Sequence, residues 1–194
     1  MERNKVMYRT MPSEFTTRDG VEDSDPVIEG YFAVFNSTYD MGWGMSESIA
    51  PGAFADTISG DVRALIDHDT RLVLGRTIAH TLELREDAHG LWGRIHINPR
   101  DSEAMNLYER VKRGDVSQCS FGFEVESEET TFPADGEIHW TIKKVKLYEV
   151  SCCTYPAYED TSVSARRKDW EQIEMRKSEA WKSSLLKKLK GAEK

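Results

Sequence analysis

Apolar and polar residues alternate with a period of two along much of this chain, the signature of half-buried β-strands. The pattern is cleanest at residues 117–125. There Cys119, Phe121, Phe123 and Val125 fall on one face and Gln118, Ser120, Gly122 and Glu124 on the other. A strand read this way buries its aromatic face and points Ser120 away from the core, with Gly122 leaving open space beside it. Residues 27–35 are also β-rich. Residues 61–67 carry Val62, Ala64 and Ile66 on one face, and His68 falls next on that face, inside Asp67-His68-Asp69. Residues 72–84 predict a further run that alternates from Ile78 through His80, Leu82 and Leu84. A turn at 87–90 leads to its hairpin partner at 91–97. Residues 138–144 and 145–153 predict the last two strands, preceded by an acidic, solvated loop at 126–137 that contains Pro133 and Asp135-Gly136.

Three stretches read as helix. In residues 101–113, Asp101 caps the first turn, Ala104, Leu107, Tyr108 and Val111 form one apolar stripe, and Arg110, Lys112 and Arg113 sit in the last turn before Gly114. A short helix is expected at 53–58, with Pro51 near its start. After Val163, Trp170, Ile173, Trp181, Leu185 and Leu189 fall roughly on one face of a third helix, with Lys and Arg opposite. About eight short strands with a few helices predict a mostly β fold with α (α+β), a small closed or curled β-barrel ringed by helices.

Charge divides the chain. The net charge is −8, but residues 165–194 alone carry +5 and the other 164 residues −13. This marks a polar N-terminal extension at 1–26, a β-barrel domain at 27–164 and a basic amphipathic tail at 165–194. An acidic body argues against nucleic acid as a partner, because phosphate binding needs a basic surface. Three cysteines, two of them adjacent, make neither a disulfide framework nor a CxxC site, and the five histidines lack HExxH spacing. No cofactor and no metal are expected. No apolar run reaches membrane-spanning length, so a soluble protein of a reducing cytoplasm is expected, with no membrane partner.

Three polar residues then stand out as a set: Ser120 on its strand, His68 between two aspartates, and Glu149 within Leu147-Tyr148-Glu149-Val150-Ser151. A serine hydroxyl needs a base to take its proton, and histidine is the usual one. A third group that accepts from the other ring nitrogen fixes the tautomer and stabilises the imidazolium. Singly, each has a plain structural reading: a surface serine, an ion-paired histidine, a glutamate bridged to Lys143, Lys144 or Lys146. Cys119 neighbours Ser120 but points to the opposite face, which excludes it as the nucleophile.

The chain resembles the prohead (capsid maturation) serine proteases of tailed phages. The resemblance rests on Gly30-Tyr31-Phe32-Ala33-Val34-Phe35, Glu47-Ser48-Ile49-Ala50-Pro51-Gly52-Ala53-Phe54, Asp67-His68-Asp69 with Leu74-Gly75-Arg76-Thr77, Gly90-Leu91 and Arg113-Gly114-Asp115-Val116. It continues in Ser120-Phe121-Gly122-Phe123, Leu147-Tyr148-Glu149-Val150-Ser151 and Tyr155-Pro156-Ala157-Tyr158. Asp67 departs from a frequent Asn, and Ala79-His80 from a more usual Ser-Gly.

The resemblance implies a fold like that of the herpesvirus assembly protease and a site with Ser120 as nucleophile, His68 as base and Glu149 as third member. Herpesvirus relatives use a second histidine in that third place, which leaves His80 as the alternative. A Gly- and Arg-containing loop at 74–77 is a candidate for the oxyanion donors.

The implied activity is a serine endopeptidase in the host cytoplasm, inside the immature capsid. It would cut the scaffolding segment from the major capsid protein and then cut itself; a homodimer is the implied oligomer. The tail would tether the enzyme to scaffold or capsid, or pack on the barrel or in a dimer interface. The competing class is a catalytically inactive assembly factor of the same fold. An unrelated serine esterase is disfavoured by the absence of a GxSxG elbow and of βαβ alternation.

Overall fold

The computed structural model describes residues 6–20, 25–133 and 136–155, together with single positions between 171 and 182. Eleven strands and one α-helix follow in order: β1 (Met7–Pro12), β2 (Thr16–Arg18), β3 (Val27–Val34), β4 (Tyr39–Asp40), β5 (Met45–Ile49), β6 (Arg63–Ile66), β7 (Asp69–Arg76), β8 (Leu82–Glu86), β9 (Gly90–His96), α1 (Ser102–Arg113), β10 (Gln118–Thr131) and β11 (Ile138–Cys153). Seven strands form one sheet, ordered β1-β10-β11-β5-β4, with β6 also on β11 and β7 on β6. The other four form a sheet ordered β2-β3-β9-β8.

The α+β class holds, but the sheets do not close into a barrel. Each ends on strands that find no further partner among the described residues, β1, β4 and β7 in one and β2 and β8 in the other. Nor do helices ring them: α1 is the one α-helix among the described residues outside the 171–182 positions. The aromatic face of β10 supplies the core. Phe121 stacks on Phe123 at 4.9 Å and meets Phe54 edge-on at 5.5 Å. The Cys119 thiol, on the same face, donates toward the Tyr31 carbonyl of β3 at 3.3 Å.

Helix α1 forms where its stripe predicts. The Asp101 side chain accepts from the amides of Glu103 and Ala104 at 3.0 and 3.3 Å, and Gly114 closes the helix with φ 87°. Residues 53–58, expected as helix, are a chain of turns. Most of their bonds span three residues, as in Ala55 N to Gly52 O, and only Ile58 N to Phe54 O spans four. Gly52, at φ 87°, has already broken the helical path.

The single run expected over 72–84 is cut in two by a 3₁₀ turn, Thr77–Ala79, after which His80 takes φ 56°. Ile78 is consequently exposed. The two final strands are one continuous β11, and the acidic stretch after Val125 stays in β10 as far as Thr131. Cross-strand ion pairs offset its acidity, Lys143 with Glu129 and Lys144 with Glu126. Residues 1–26 contribute β1 and β2 to the two sheets.

Contacts divide the chain into Met1–Tyr158 and Glu159–Lys194. In the second unit Glu171, Met175, Ser178, Glu179, Trp181 and Lys182 are helical. Trp170, Ile173, Leu185 and Leu189, which define the predicted apolar face of the tail, lie outside the described residues.

Candidate active site

The histidine is placed by a two-residue turn. Ile66 pairs with Asp69 at the end of the β6–β7 hairpin, so Asp67 and His68 form its loop, with φ of 48° and 62°. Such hairpins need left-handed backbone at both positions, which Asp and His tolerate better than most residues. His68 therefore projects from a turn, and not from the strand face that alternation assigned to it. The turn is pinned to the end of β11. Thr154 donates to Asp67 through its amide (2.7 Å) and its hydroxyl (3.1 Å), and the His68 amide donates to Ser151 Oγ (3.3 Å).

Glu149 reaches His68 from β11. Its Oε1 lies 2.7 Å from His68 Nδ1, and its Oε2 accepts from the Ser151 hydroxyl at 2.6 Å. A carboxylate can only accept, so the contact suits a ring proton on Nδ1 and directs Nε2 away from Glu149. This is the arrangement in which a carboxylate orients a catalytic imidazole. His80, the alternative third member, is exposed beyond the 3₁₀ turn, and Glu149 occupies the position at Nδ1.

Ser120 lies directly opposite Ser151 of β11 on one side and Thr10 of β1 on the other. It has no exposed surface, although alternation puts it on the solvent side. The reason is that β1 and β11 flank it on both edges. Its hydroxyl donates to the carbonyl of Arg9 at 2.9 Å, so that proton is turned away from the histidine.

The group at His68 Nε2 is the Cys153 thiol, at 3.8 Å. Burial, then the nearby Asp67 and Glu149 carboxylates, raise that thiol's pKa, which keeps it neutral. Nor is the space beside Gly122 open. A Cβ there would stand 2.6 Å from Glu149 Oε1 and 2.9 Å from a ring carbon of Tyr8. The amides of Arg76 and Thr77, in the loop considered for the oxyanion, already donate to Thr81 Oγ1 and the Val62 carbonyl.

Residues that alternation did not single out complete the site. Ser151 holds the second carboxylate oxygen, and the clue in the sequence is its spacing two residues after Glu149, hence on the same strand face. The Tyr8 ring meets the His68 ring edge-on at 4.5 Å. Behind the sheet, Arg9 and Glu47 form a buried two-bond ion pair at 2.6 and 2.8 Å. A second Ser–His cluster, His139 between Ser46 and Ser48 at 2.8 Å each, has hydroxyls on both ring nitrogens and so lacks the orienting carboxylate that His68 has.

A mostly β fold thus carries a carboxylate-held histidine beside strand serines. The chain belongs to the caudovirus prohead serine protease family, whose pattern matches residues 13–176. It is 32% identical over 145 residues to the prohead protease of Enterobacteria phage HK97. That match covers 73% of this chain and 60% of the relative, so this chain spans less than two thirds of the relative's length. The fold is similar to that of the bacteriophage T4 capsid assembly protease, with TM-score 0.54 and 14% identity over 78% of this chain and 98% of that one.

Proposed function

We propose that this chain is a serine endopeptidase that cuts the scaffolding segment from the major capsid protein during prohead maturation, and also cuts itself. The observation that carries the reading is the 2.7 Å contact between His68 Nδ1 and Glu149 Oε1, made two residues along the β10–β11 ladder from Ser120. Family membership supports the reaction class. In the mechanism, the Ser120 hydroxyl leaves the Arg9 carbonyl and the His68 ring swings Nε2 from Cys153 toward it; Ser120 then attacks a peptide carbonyl carbon while Nε2 takes its proton. The tetrahedral intermediate collapses to an acyl-enzyme, and the same proton passes to the departing amine. Water, deprotonated by His68, then releases the acyl group and restores Ser120. Glu149 stays ionised throughout and steadies the imidazolium.

The test is intact mass of the capsid precursor after co-expression with wild type and with Ser120→Ala. Shortening by the wild type alone supports the reading. Equal shortening by both moves the nucleophile elsewhere. If neither cuts while proheads assemble, the chain is an assembly factor.

A further inference from the structure

Three residues at alternate positions of β11, Glu149, Ser151 and Cys153, fall on one face of the strand and hold His68 at three atoms. Glu149 Oε1 meets Nδ1 at 2.7 Å, Ser151 Oγ accepts from the main-chain amide at 3.3 Å, and Cys153 Sγ lies 3.8 Å from Nε2. Glu149 orients the ring and Ser151 pins the turn. The thiol has no part in the proposed reaction, although it stands at the nitrogen that takes the serine's proton.

A thiol beside a carboxylate-held imidazole suggests a nucleophile, and its surroundings oppose that role. Cys153 is 1% exposed, which leaves a peptide no approach to its sulfur. Burial first, and then the Asp67 and Glu149 carboxylates, raise its pKa, so the group is S–H and not thiolate. A neutral thiol is instead a weak hydrogen-bond donor. With the ring proton on Nδ1, as the Glu149 contact suits, Nε2 has the lone pair that accepts it.

The thiol also has a second acceptor. The Ser151 carbonyl lies 3.9 Å from Sγ. When the ring departs, the S–H can turn there, and no buried donor is stranded. Ser120, for its part, donates to the Arg9 carbonyl at 2.9 Å. Base and nucleophile thus each rest on a partner other than one another.

We propose that Cys153 is a positioning residue that parks the His68 ring: its S–H holds Nε2 at the end of β11, and releases it when the ring pivots about the Glu149 contact toward Ser120. The inference rests on the reading of His68 as base and Ser120 as nucleophile. Cys153 lies opposite Gln118, and Ser151 opposite Ser120, so the ring passes from one cross-strand pair to another two residues along. Sulfur suits the task because it binds weakly. A hydroxyl in contact with Nε2 would hold the resting ring harder, and an aliphatic side chain would not hold it at all.

Two full-length variants test this. Cys153→Ala removes the donor, and Cys153→Val removes it while keeping the space filled. Loss of one neutral hydrogen bond shifts an equilibrium by roughly two- to tenfold. A thiol is a weak donor, so kcat for precursor cleavage should rise about two- to fivefold in both variants, with KM unchanged. In the protein without substrate, the nitrogen-15 resonance of His68 Nε2 should move downfield as its lone pair loses the donor. A thiol that only fills space would produce neither change.

An unchanged or lowered kcat would overturn the inference, as would a change confined to KM or an unmoved Nε2 resonance. Abolished cutting in both variants would overturn it by making the thiol a participant in the chemistry. If no form cuts, wild type included, while the Nε2 resonance moves as stated, the hold on the histidine stands and the protease reading falls. If Cys153→Ala does not fold, Cys153→Val decides.

Discussion

Gly122 and Glu149 face each other across β10 and β11, and the Glu149 carboxylate fills the room that a side chain at 122 would need. The glycine is therefore a condition for the contact between Glu149 and His68. In Gly122→Ala the new methyl would sit 2.6 Å from Oε1, and the flexible carboxylate, not the backbone, would give way. Misplacing a catalytic group by an ångström costs roughly a hundredfold in rate. Precursor cleavage should fall by about that factor, and the far-downfield Nδ1 proton of His68 should vanish from the NMR spectrum. An unchanged proton signal with full activity would show that Glu149 has room to spare.

Ser151 donates to the carboxylate oxygen that His68 does not use and accepts from the His68 amide. Ser151→Ala removes both bonds inside a buried cluster. Leaving a buried charged acceptor short of a donor costs about 1–3 kcal/mol. The variant should lose stability of that order in urea titration, and its cleavage rate should fall with the KM for precursor little changed. A rise in KM alone would place Ser151 in substrate binding.

The three thiols should be inert in the folded protein. Burial pushes Cys119 up to about 12 and raises Cys152 and Cys153 as well. Thiolate is the reactive form, so Ellman's reagent at pH 8 should label none of them until denaturant is added. Rapid labelling of one thiol in the native protein would identify an open path to it, and labelling of Cys153 that also stopped cleavage would locate that path beside His68.

Beside the histidine turn, hydrogen bonds from the Arg71 side chain and amide hold the Asp69 carboxyl down to about 2, against an ordinary 3.8. A carboxyl depressed in the folded state favours folding at pH above its unfolded value, and that contribution is lost as pH falls toward 2. In Arg71→Ala the Asp69 midpoint, followed by carboxyl-carbon NMR, should climb back toward 3.8, and the acid limb of the stability curve should flatten. A midpoint that stayed near 2 would assign the depression to the backbone amide.

Local signals carried part of this architecture. Helix α1 was legible because its cap, stripe and closing glycine are all set within one short segment. The aromatic face of β10 was legible for the same reason. Alternation cannot see what lies on the far side of a strand, however. It put Ser120 in solvent, and only the pairing of residues distant in sequence, Thr10 and Ser151, buries it. It put His68 on a strand face because a two-residue hairpin of Asp and His lacks the usual glycine mark. The acidic run after Val125 read as loop because its compensating lysines come from the partner strand. Ser120, His68 and Glu149 are legible as a chemically complementary set, but their roles come only with the resemblance, since nothing local states that residues 68 and 149 meet.

Strand β11 takes β5 alongside residues 138–142 and β6 alongside 149–152, both parallel and on one edge. The turns between those two strands bridge the gap along the same edge. The Ala50 amide donates to the Ile142 carbonyl, Val145 to Ala53, and Leu147 to Thr57 Oγ1. The stretch works like a splint, fastened along its length and not only at its ends. Covalent continuity within it is thus nearly redundant. With a break at the exposed Ser59 and Gly60, residues 60–194 would keep β6, the histidine turn and β11 on one piece, and the other piece would rejoin them through β5 and the bonds of Ala50, Ala53 and Thr57.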